Sequence, residues 1–249
     1  MKANVFFART MLVALLFASI SMPSTKAQPQ KDVFDTSEGS LEIYFVGHAS
    51  LYFSFNGDII HVDPYGQMGD YQAMPKADLV LITHAHPDHL DKSAIQNISK
   101  ENTQFVMNEP SHQELGKGEI LKNGDQTDIA GYKIRAVPAY NIEHKRENGT
   151  PYHPKGRDNG YLIDFGNKTV YIGGDTENIP EMKDLPEVDI AFLPMNLPYT
   201  MSPEMAKDAA LMVRPEVLYP YHYRMGETDT EKFKQLMADV PDIEVRFRD

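Results

Sequence analysis

Two β-sheets with helices on their outer faces, an α/β (α+β) fold, are what this sequence predicts, and three observations carry the expectation. Short apolar segments separated by turn residues follow one another closely in the first quarter of the chain. Beyond them, strand-like runs alternate with segments of helical spacing. The run "ADLVLIT" at 77–83 is continuously apolar, as expected of a strand covered on both faces. Early strands followed by strand–helix alternation fit two packed sheets with helices outside.

In chain order, Leu41–Val46, Leu51–Phe55 and Ile59–Val62 read as strands. The last two are joined across Asn56-Gly57, a pair that tolerates the positive φ of a tight hairpin. After "ADLVLIT", Pro87 suits a first helical turn, and Leu90, Ala94, Ile95 and Ile98 recur at helical spacing, so a helix is expected to begin near Asp88. Further strands are expected at Gln104–Met107, Lys133–Val137, Tyr161–Phe165, Thr169–Ile172, Asp189–Leu193, Glu216–Tyr221 and Ile243–Phe247. Ser202–Met212 reads as a helix capped by Ser202, and Thr230–Ala238 as another with Phe233, Leu236 and Met237 on its apolar stripe. His112 sits on a polar helix. The segments "FNGDIIHVDP" and "FGNKTVYIGGDT" share a Phe, a Gly/Asn turn, an apolar strand and a closing Asp. An internal duplication and the chance recurrence of a hairpin both account for that echo.

The chain has 249 residues, 41% of them hydrophobic, which suits one substantial domain, placed at 41–249. Before it, "QPQKDVFDTSEGS" (28–40) reads as a polar tether. Lys2 and Arg9, the apolar run Met11–Ile20 and the small residues Thr25 and Ala27 have the pattern of a secretory signal peptide over 1–27. The apolar run is too short for a permanent span, so the expectation is a secreted or periplasmic protein with no stable membrane insertion after processing. An uncleaved anchor is the alternative. With no cysteine there is no lipoprotein acylation site, no disulfide and no thiolate, so any metal is held by nitrogen and oxygen. The formal charge of −12 becomes three units more negative without a leader that carries Lys2, Arg9, Lys26 and no acid. That balance excludes phosphate-neutralising nucleic-acid binding and disfavours an anionic lipid surface.

The chemistry lies where the strands stop. In "THAHPDHLD", three of the chain's 9 histidines fall within six positions. His84 and His86, two apart in an extended segment, point the same way and can bind one ion; Asp88 and His89 turn to another side and can hold a second. Imidazole and carboxylate suit Zn²⁺ most, and also Mn²⁺ or Fe. Two ions would clamp a water and make hydroxide available near neutral pH. A bridging ligand is then needed, and Asp175, on the sharp turn after "VYIGG", fits. His48, Asp63 and His222 also follow strands, so all can converge on one sheet edge.

With "GHAS" at 47–50, "HVDP" at 61–64, "AVPAYN" at 136–141, "HPKG" at 153–156, "GGDT" at 173–176 and "PYHY" at 220–223, the chain resembles the metallo-β-lactamase-fold hydrolases over nearly its whole mature length. It is similar to the broad branch that includes ascorbate-6-phosphate lactonase-like proteins and N-acylphosphatidylethanolamine phospholipase D. The resemblance implies a four-layer αββα sandwich with a two-metal site at one edge. His84 and His86 would bind the first ion, Asp88, His89 and His222 the second, and Asp175 would bridge them, with Asp88 and Asp175 the catalytic carboxylates. Where many members carry a third His for the first ion, this chain has Asn141. His153 or His144 would then replace it, or the centre has a three-ligand first site or a single metal. His48 resembles a position of this branch beside the metal or substrate, with a hydrogen-bonded turn His as the plain reading. Asp63 either buttresses a ligand His or caps a turn.

The implied function is a secreted hydrolase that uses a metal-bound hydroxide on a small lactone, ester or phosphoester, the ions stabilising the oxyanion. Rivals are a zinc β-lactamase-type amide hydrolase and a non-enzymatic metal-binding protein with a degenerate site at Asn141. Lys155 and Arg157 in "HPKGR" read either as a local anion pocket, and so a small anionic substrate, or as solvated charges. Tyr140, Tyr199 and Tyr221 fall near the expected rim.

Overall fold

A computed structural model describes residues 29–248 together with Met1; the expected leader otherwise lies outside the described residues. The first half forms β1 (Gln30–Thr36), β2 (Gly39–Gly47), β3 (Ser50–Phe55), β4 (Asp58–Val62), β5 (Leu79–Ile82), β6 (Gln104–Met107) and β7 (Glu119–Ile120), seven strands paired in that order. The second forms β8 (Gln126–Ile129), β9 (Tyr132–Ala139), β10 (Asp158–Phe165), β11 (Lys168–Ile172), β12 (Ile190–Pro194), β13 (Val217–Tyr221) and β14 (Glu244–Val245), again paired in sequence order. In each sheet the first three pairings are antiparallel and the last three parallel. The two halves therefore share one topology strand for strand. The echoing segments occupy equivalent places: each is a hairpin turn and a strand, β4 or β11, that leads to Asp63 or Asp175.

Burial follows the two-residue period of a strand. On β5, Leu79 and Leu81 enter the core between the sheets while Val80 and Ile82 pack outward with Ala94, Ile95 and Ile98. On β12, Ile190 and Phe192 face inward and Ala191 and Leu193 pack outward with Ala206, Ala209 and Phe233. Each such fully buried Leu, Ile or Phe contributes about 1.5–3 kcal/mol. The outward partners lie on α1 (Lys92–Ile98) over the first sheet, and on α3 (Pro203–Val213) and α4 (Thr230–Met237) over the second. The result is the αββα sandwich, with α2 (Glu109–Leu115) following β6 and carrying His112.

Three expectations need correction. The helix expected near Asp88 begins at Lys92, because Asp91 accepts hydrogen bonds from the Ser93 and Ala94 amides and sets the N-cap there. "HPDH" is consequently a turn, closed by the amides of His89 and Leu90 on the His86 carbonyl. The strand expected at Ile243–Phe247 shrinks to Glu244–Val245. The polar tether at 28–40 is mostly strand β1, paired with β2 from Gln30↔Phe45 to Thr36↔Gly39. Its polarity is that of an edge strand, which natural sheets keep charged. Asp32 pins this edge to the other sheet: Tyr219 on β13 donates to it, and Arg246 and Arg248 pair with it at 3.2 and 2.8 Å. Burial works against its charge, but those donors outweigh it and hold the carboxyl below its usual range.

Asp32→Ala should therefore destabilise the protein by about 1–3 kcal/mol in urea unfolding, since it removes charged hydrogen bonds from a mostly buried cluster. A loss below about 0.3 kcal/mol, the level of an exposed ion pair, would mean β1 is held by its ladder alone. A second prediction concerns His61 on β4, which is buried with Nε2 donating to the Pro75 carbonyl at 3.1 Å. Burial pushes its pKa down to about 4, below the roughly 6.5 of an unfolded chain. Only the unfolded chain takes up the proton between those values. The stability His61 permits is thus full above about pH 6.5 and falls by up to about 3 kcal/mol as pH drops toward 4. His61→Gln keeps a donor without the titration, so its stability relative to wild type should rise across that window; a pH-independent difference would refute the assignment.

Candidate metal centre

Loops leaving the ends of β2, β4, β5, β9, β11 and β13 meet at one edge of the sandwich and deliver His48, Asp63, Thr83–His89, Asn141, Asp175 and His222. Three of these residues lie in the left-handed region that non-glycine residues rarely occupy: His48 at φ 57°, Asp63 at 44° and His222 at 53°. Such backbone costs on the order of 1–3 kcal/mol each and persists where the surroundings enforce it. Here the enforcement includes the His222 amide, which donates to the His48 carbonyl at 2.8 Å and ties the second sheet to the first. Gly174, at φ 64°, has its missing Cβ position 2.7 Å from the Asn159 carbonyl, so only glycine lets β11 turn there and bury Asp175.

The side chains form two donor groups around that carboxylate. In one, His84 Nε2 stands 3.0 Å from His86 Nδ1, which stands 3.3 Å from His153 Nε2. Asp175 Oδ2 lies 3.9 Å from His84 Nε2 and 3.3 Å from His153 Nε2. In the other, His89 Nε2 and His222 Nε2 are 3.0 Å apart, each 3.7–3.8 Å from Asp88 Oδ2. Asp175 Oδ1 faces this pair at 3.5 and 3.3 Å. Ligand atoms at about 2.0–2.1 Å from a tetrahedral Zn²⁺ stand about 3.3 Å apart, which these spacings bracket.

The far side of most rings is fixed. Asp63 faces His89 Nδ1 at 2.8 Å while accepting from the Thr83 amide and hydroxyl, and the Thr83 hydroxyl faces His84 Nδ1 at 3.0 Å. His222 Nδ1 stands 3.0 Å from the Asn196 amide. Asn141 occupies the place of an absent histidine without copying it: its Oδ1 accepts from the His153 amide and faces His153 Nδ1, both at 2.8 Å. A neutral His153 must then carry its proton on Nδ1 and turn the Nε2 lone pair inward. Asn141 is held in turn by donating to Glu177 and to the Tyr199 carbonyl. Glu177 is fully buried and also accepts from the amides of residues 142–144 and faces His144 Nδ1 at 2.7 Å. His144 therefore belongs to the support of this loop and not to the donor groups.

Charge in the site suits a cation. Burial first, then repulsion from neighbouring rings, holds His84 and His222 well below the usual range, His86 at about 4 and His153 at about 2. Neutral imidazole is the form that ligates. Burial opposes charge on His89, yet Asp175, Asp63 and Asp88 push it up to about 9. Asp175 itself is raised to about 7 by burial, His89 lowering it and Asp88, Asp63 and Asp158 adding to the rise. Asp175 Oδ1 is buried and has no hydrogen-bond partner among the described residues. A carboxylate oxygen with no donor, and ring nitrogens whose lone pairs point at one another, are explained together by bound cations. The residues present fit two such ions.

The cleft over these groups, about 300 Å³, is lined by His86, Asp88, His153, Asp175, Asn196 and His222, and along its rim by Arg146, Tyr152, Tyr199 and Arg224. Neither Lys155 nor Arg157 lines it. Lys155 is 65% exposed and pairs with Glu181 at 2.6 Å, and Arg157 pairs with Asp158, so the "HPKGR" pocket is corrected to loop charges that are already matched. Of the three tyrosines, only Tyr199 lines the cleft; Tyr140 donates to Glu181, and the buried Tyr221 hydroxyl accepts from the Gly174 amide. His48 does reach the site, with Nε2 3.0 Å from Asp88 Oδ2. The sequence reading missed Thr83, Glu177, Asn196 and both rim arginines. For the first two, adjacency to His84 and Asp175 was the available signal; for the others there was none.

Comparison with known proteins agrees with this geometry. A family model described as a β-lactamase superfamily domain matches residues 42–222. A UPF0173 metal-dependent hydrolase of Nanoarchaeum equitans is 31% identical over 206 residues, 78% of this chain and 91% of its own. Among solved structures, a protein from Parabacteroides distasonis described as a metal-dependent hydrolase is 49% identical with a TM-score of 0.83, over 88% of this chain and 98% of the other. A metallo hydrolase from Ignicoccus hospitalis follows at 27% and 0.69, over 83% and 94%. With the αββα sandwich and the paired donor groups already in place, these matches make the chain a member of the β-lactamase superfamily and a metal-dependent hydrolase of the metallo-β-lactamase fold.

Proposed function

We propose that this hydrolase works with two divalent ions, Zn²⁺ by preference of the donor set, on a small ester, lactone or phosphoester outside the cytoplasm. The observation that carries the reading is the division of Asp175, one oxygen turned to each donor group. His84, His86 and His153 would hold one ion and Asp88, His89 and His222 the other, with Asp175 between the two groups. When bound, such ions supply Lewis acidity for a carbonyl or phosphoryl oxygen and a nucleophile at neutral pH. The protein does the rest. Asp63 and Asn141 keep the His89 and His153 rings from rotating away. Asp88, 35% exposed against 4% for Asp175, is the more accessible of the two carboxylates that line the cleft and can take a proton from attacking water and return it to the leaving group. His48 anchors that carboxylate through Oδ2. A cleft of about 300 Å³ is at the small end of ligand sites and favours compact substrates.

Elemental analysis and a panel of aryl esters, lactones, phosphodiesters and a chromogenic β-lactam test the reading together. Wild type should hold two ions per chain. Asp175→Ala should fall below one, because no other group replaces a shared carboxylate, and turnover should drop by at least about a hundredfold, on the order of 3 kcal/mol. His153→Ala should lose one ion while His144→Ala keeps both. Two ions retained in Asp175→Ala would end the shared-carboxylate model, and turnover of the β-lactam alone would make the enzyme an amide hydrolase.

Export is the remaining part of the proposal and rests on the basic, then apolar, then small-residue order of residues 1–27. Intact mass of protein recovered from its native host should begin near Gln28; a full-length cytosolic species would refute it.

A further inference from the structure

We infer that Arg146 and Arg224 form an anion clamp over the metal centre, so that the substrate carries a carboxylate or phosphate group besides the bond that is cleaved. The inference rests on the hydrolase reading above and narrows its substrate class. Both arginines line the same cleft as His86, Asp88, His153 and Asp175. Each lies over a tyrosine ring, Arg146 at 4.9 Å from the Tyr152 centroid and Arg224 at 5.8 Å from that of Tyr199. The two rings meet edge to face at 5.0 Å, so the four side chains make a continuous rim, Arg146–Tyr152–Tyr199–Arg224.

A guanidinium laid on an aromatic face keeps its in-plane N–H groups free, and these match the two oxygens of an oxyacid. The backbone under both arginines is ordered by short turns. The Arg146 amide donates to the Thr150 carbonyl at 2.8 Å, and the Arg224 amide donates to the Thr228 hydroxyl at 3.1 Å. Arg146 makes no ion pair among the described residues. Among the described residues Arg224 pairs only with Glu227, 3.2 Å away with both side chains exposed, a pair that an incoming anion displaces at little cost. Placing two cations at the cleft of a chain with a formal charge of −12 concentrates the positive potential where the substrate enters. Lys155, already matched by Glu181 outside the cleft, has no part in it.

The test uses the metal-loaded enzyme and two esters with the same leaving group, neutral 4-nitrophenyl acetate and anionic mono-4-nitrophenyl glutarate. Wild type should prefer the glutarate ester by at least about tenfold in kcat/KM, mostly through KM, as expected of binding that is alike in ground and transition states. The preference should fall about tenfold in Arg146→Ala and in Arg224→Ala, shrink in high salt, and stay at the wild-type value in Lys155→Ala. Glutarate and inorganic phosphate, titrated by calorimetry into wild type and the double variant at equal metal content, provide a second readout and rank carboxylate against phosphate. Equal preference in wild type and both arginine variants, together with equal affinity for both anions in the double variant, overturns the clamp. If neither ester is turned over while the double variant binds the anions at least about tenfold more weakly, the clamp stands and the ester part of the proposed substrate range fails.

Discussion

One buried carboxylate fixes the geometry of everything else at this edge. Asp175 must approach from the second sheet closely enough for its oxygens to face two sets of imidazoles, three of which come from the loop after β5 of the first sheet. That approach demands a turn without side chains, hence Gly173 and Gly174, whose missing Cβ positions fall 2.9 Å and 2.7 Å from backbone carbonyls. It also demands that the two sheets cannot slide. Burying a carboxylate without donors costs several kcal/mol unless cations compensate. The core between the sheets, not the site, supplies the stability that makes such an arrangement tolerable.

Around Asp175 the protein repeats a single device, an oxygen that fixes a ring from behind. Asp63 serves His89, the Thr83 hydroxyl serves His84, and Asn141 serves His153. Asn141 shows how a loop without a histidine at that position can still turn an imidazole toward Asp175. Asn141, two residues beyond β9, orients an imidazole instead of supplying one, and that imidazole comes from position 153, twelve residues on. Glu177 makes the exchange work, because its fully buried carboxylate gathers the amides of residues 142–144 and the Asn141 side chain into one rigid corner.

How far the sequence was legible depended on how local the signal was. Strands buried on both faces, such as β5, announce themselves by a continuous apolar run, and the "HAHPDH" spacing states its chemistry within six residues. The start of α1 was misplaced because Asp88 and Asp91 are both capable caps, and only the tertiary turn over His86 decides between them. Strand β1 was illegible for a different reason. Its residues are polar as an edge requires, and what orders it is β2 on one side and Tyr219, Arg246 and Arg248 at the far end of the chain. The same limit hid the rim arginines: "EHKREN" reads as a solvated charge run until folding lays Arg146 on Tyr152.

The matching topology of the two halves makes their different chemistry informative. The first half contributes His84, His86, Asp88, His89 and the orienting Asp63, all within or beside the end of a central strand. The second contributes Asp175 and His222 at strand ends, but sets Arg146, Tyr152, His153, Tyr199 and Arg224 on loops that leave the sheet. Strand ends are held by ladders on both sides, whereas loops change composition with little cost to the core. The candidate metal ligands thus sit largely on rigid backbone, and the residues along the cleft rim largely on adaptable loops. His153 is the exception, a candidate ligand on the adaptable side, and it lies within seven residues of both Arg146 and Tyr152. If His153 ligates and Arg146 meets the substrate as proposed, a change in that loop moves metal affinity and substrate preference together, a coupling that a histidine at position 141 would not impose.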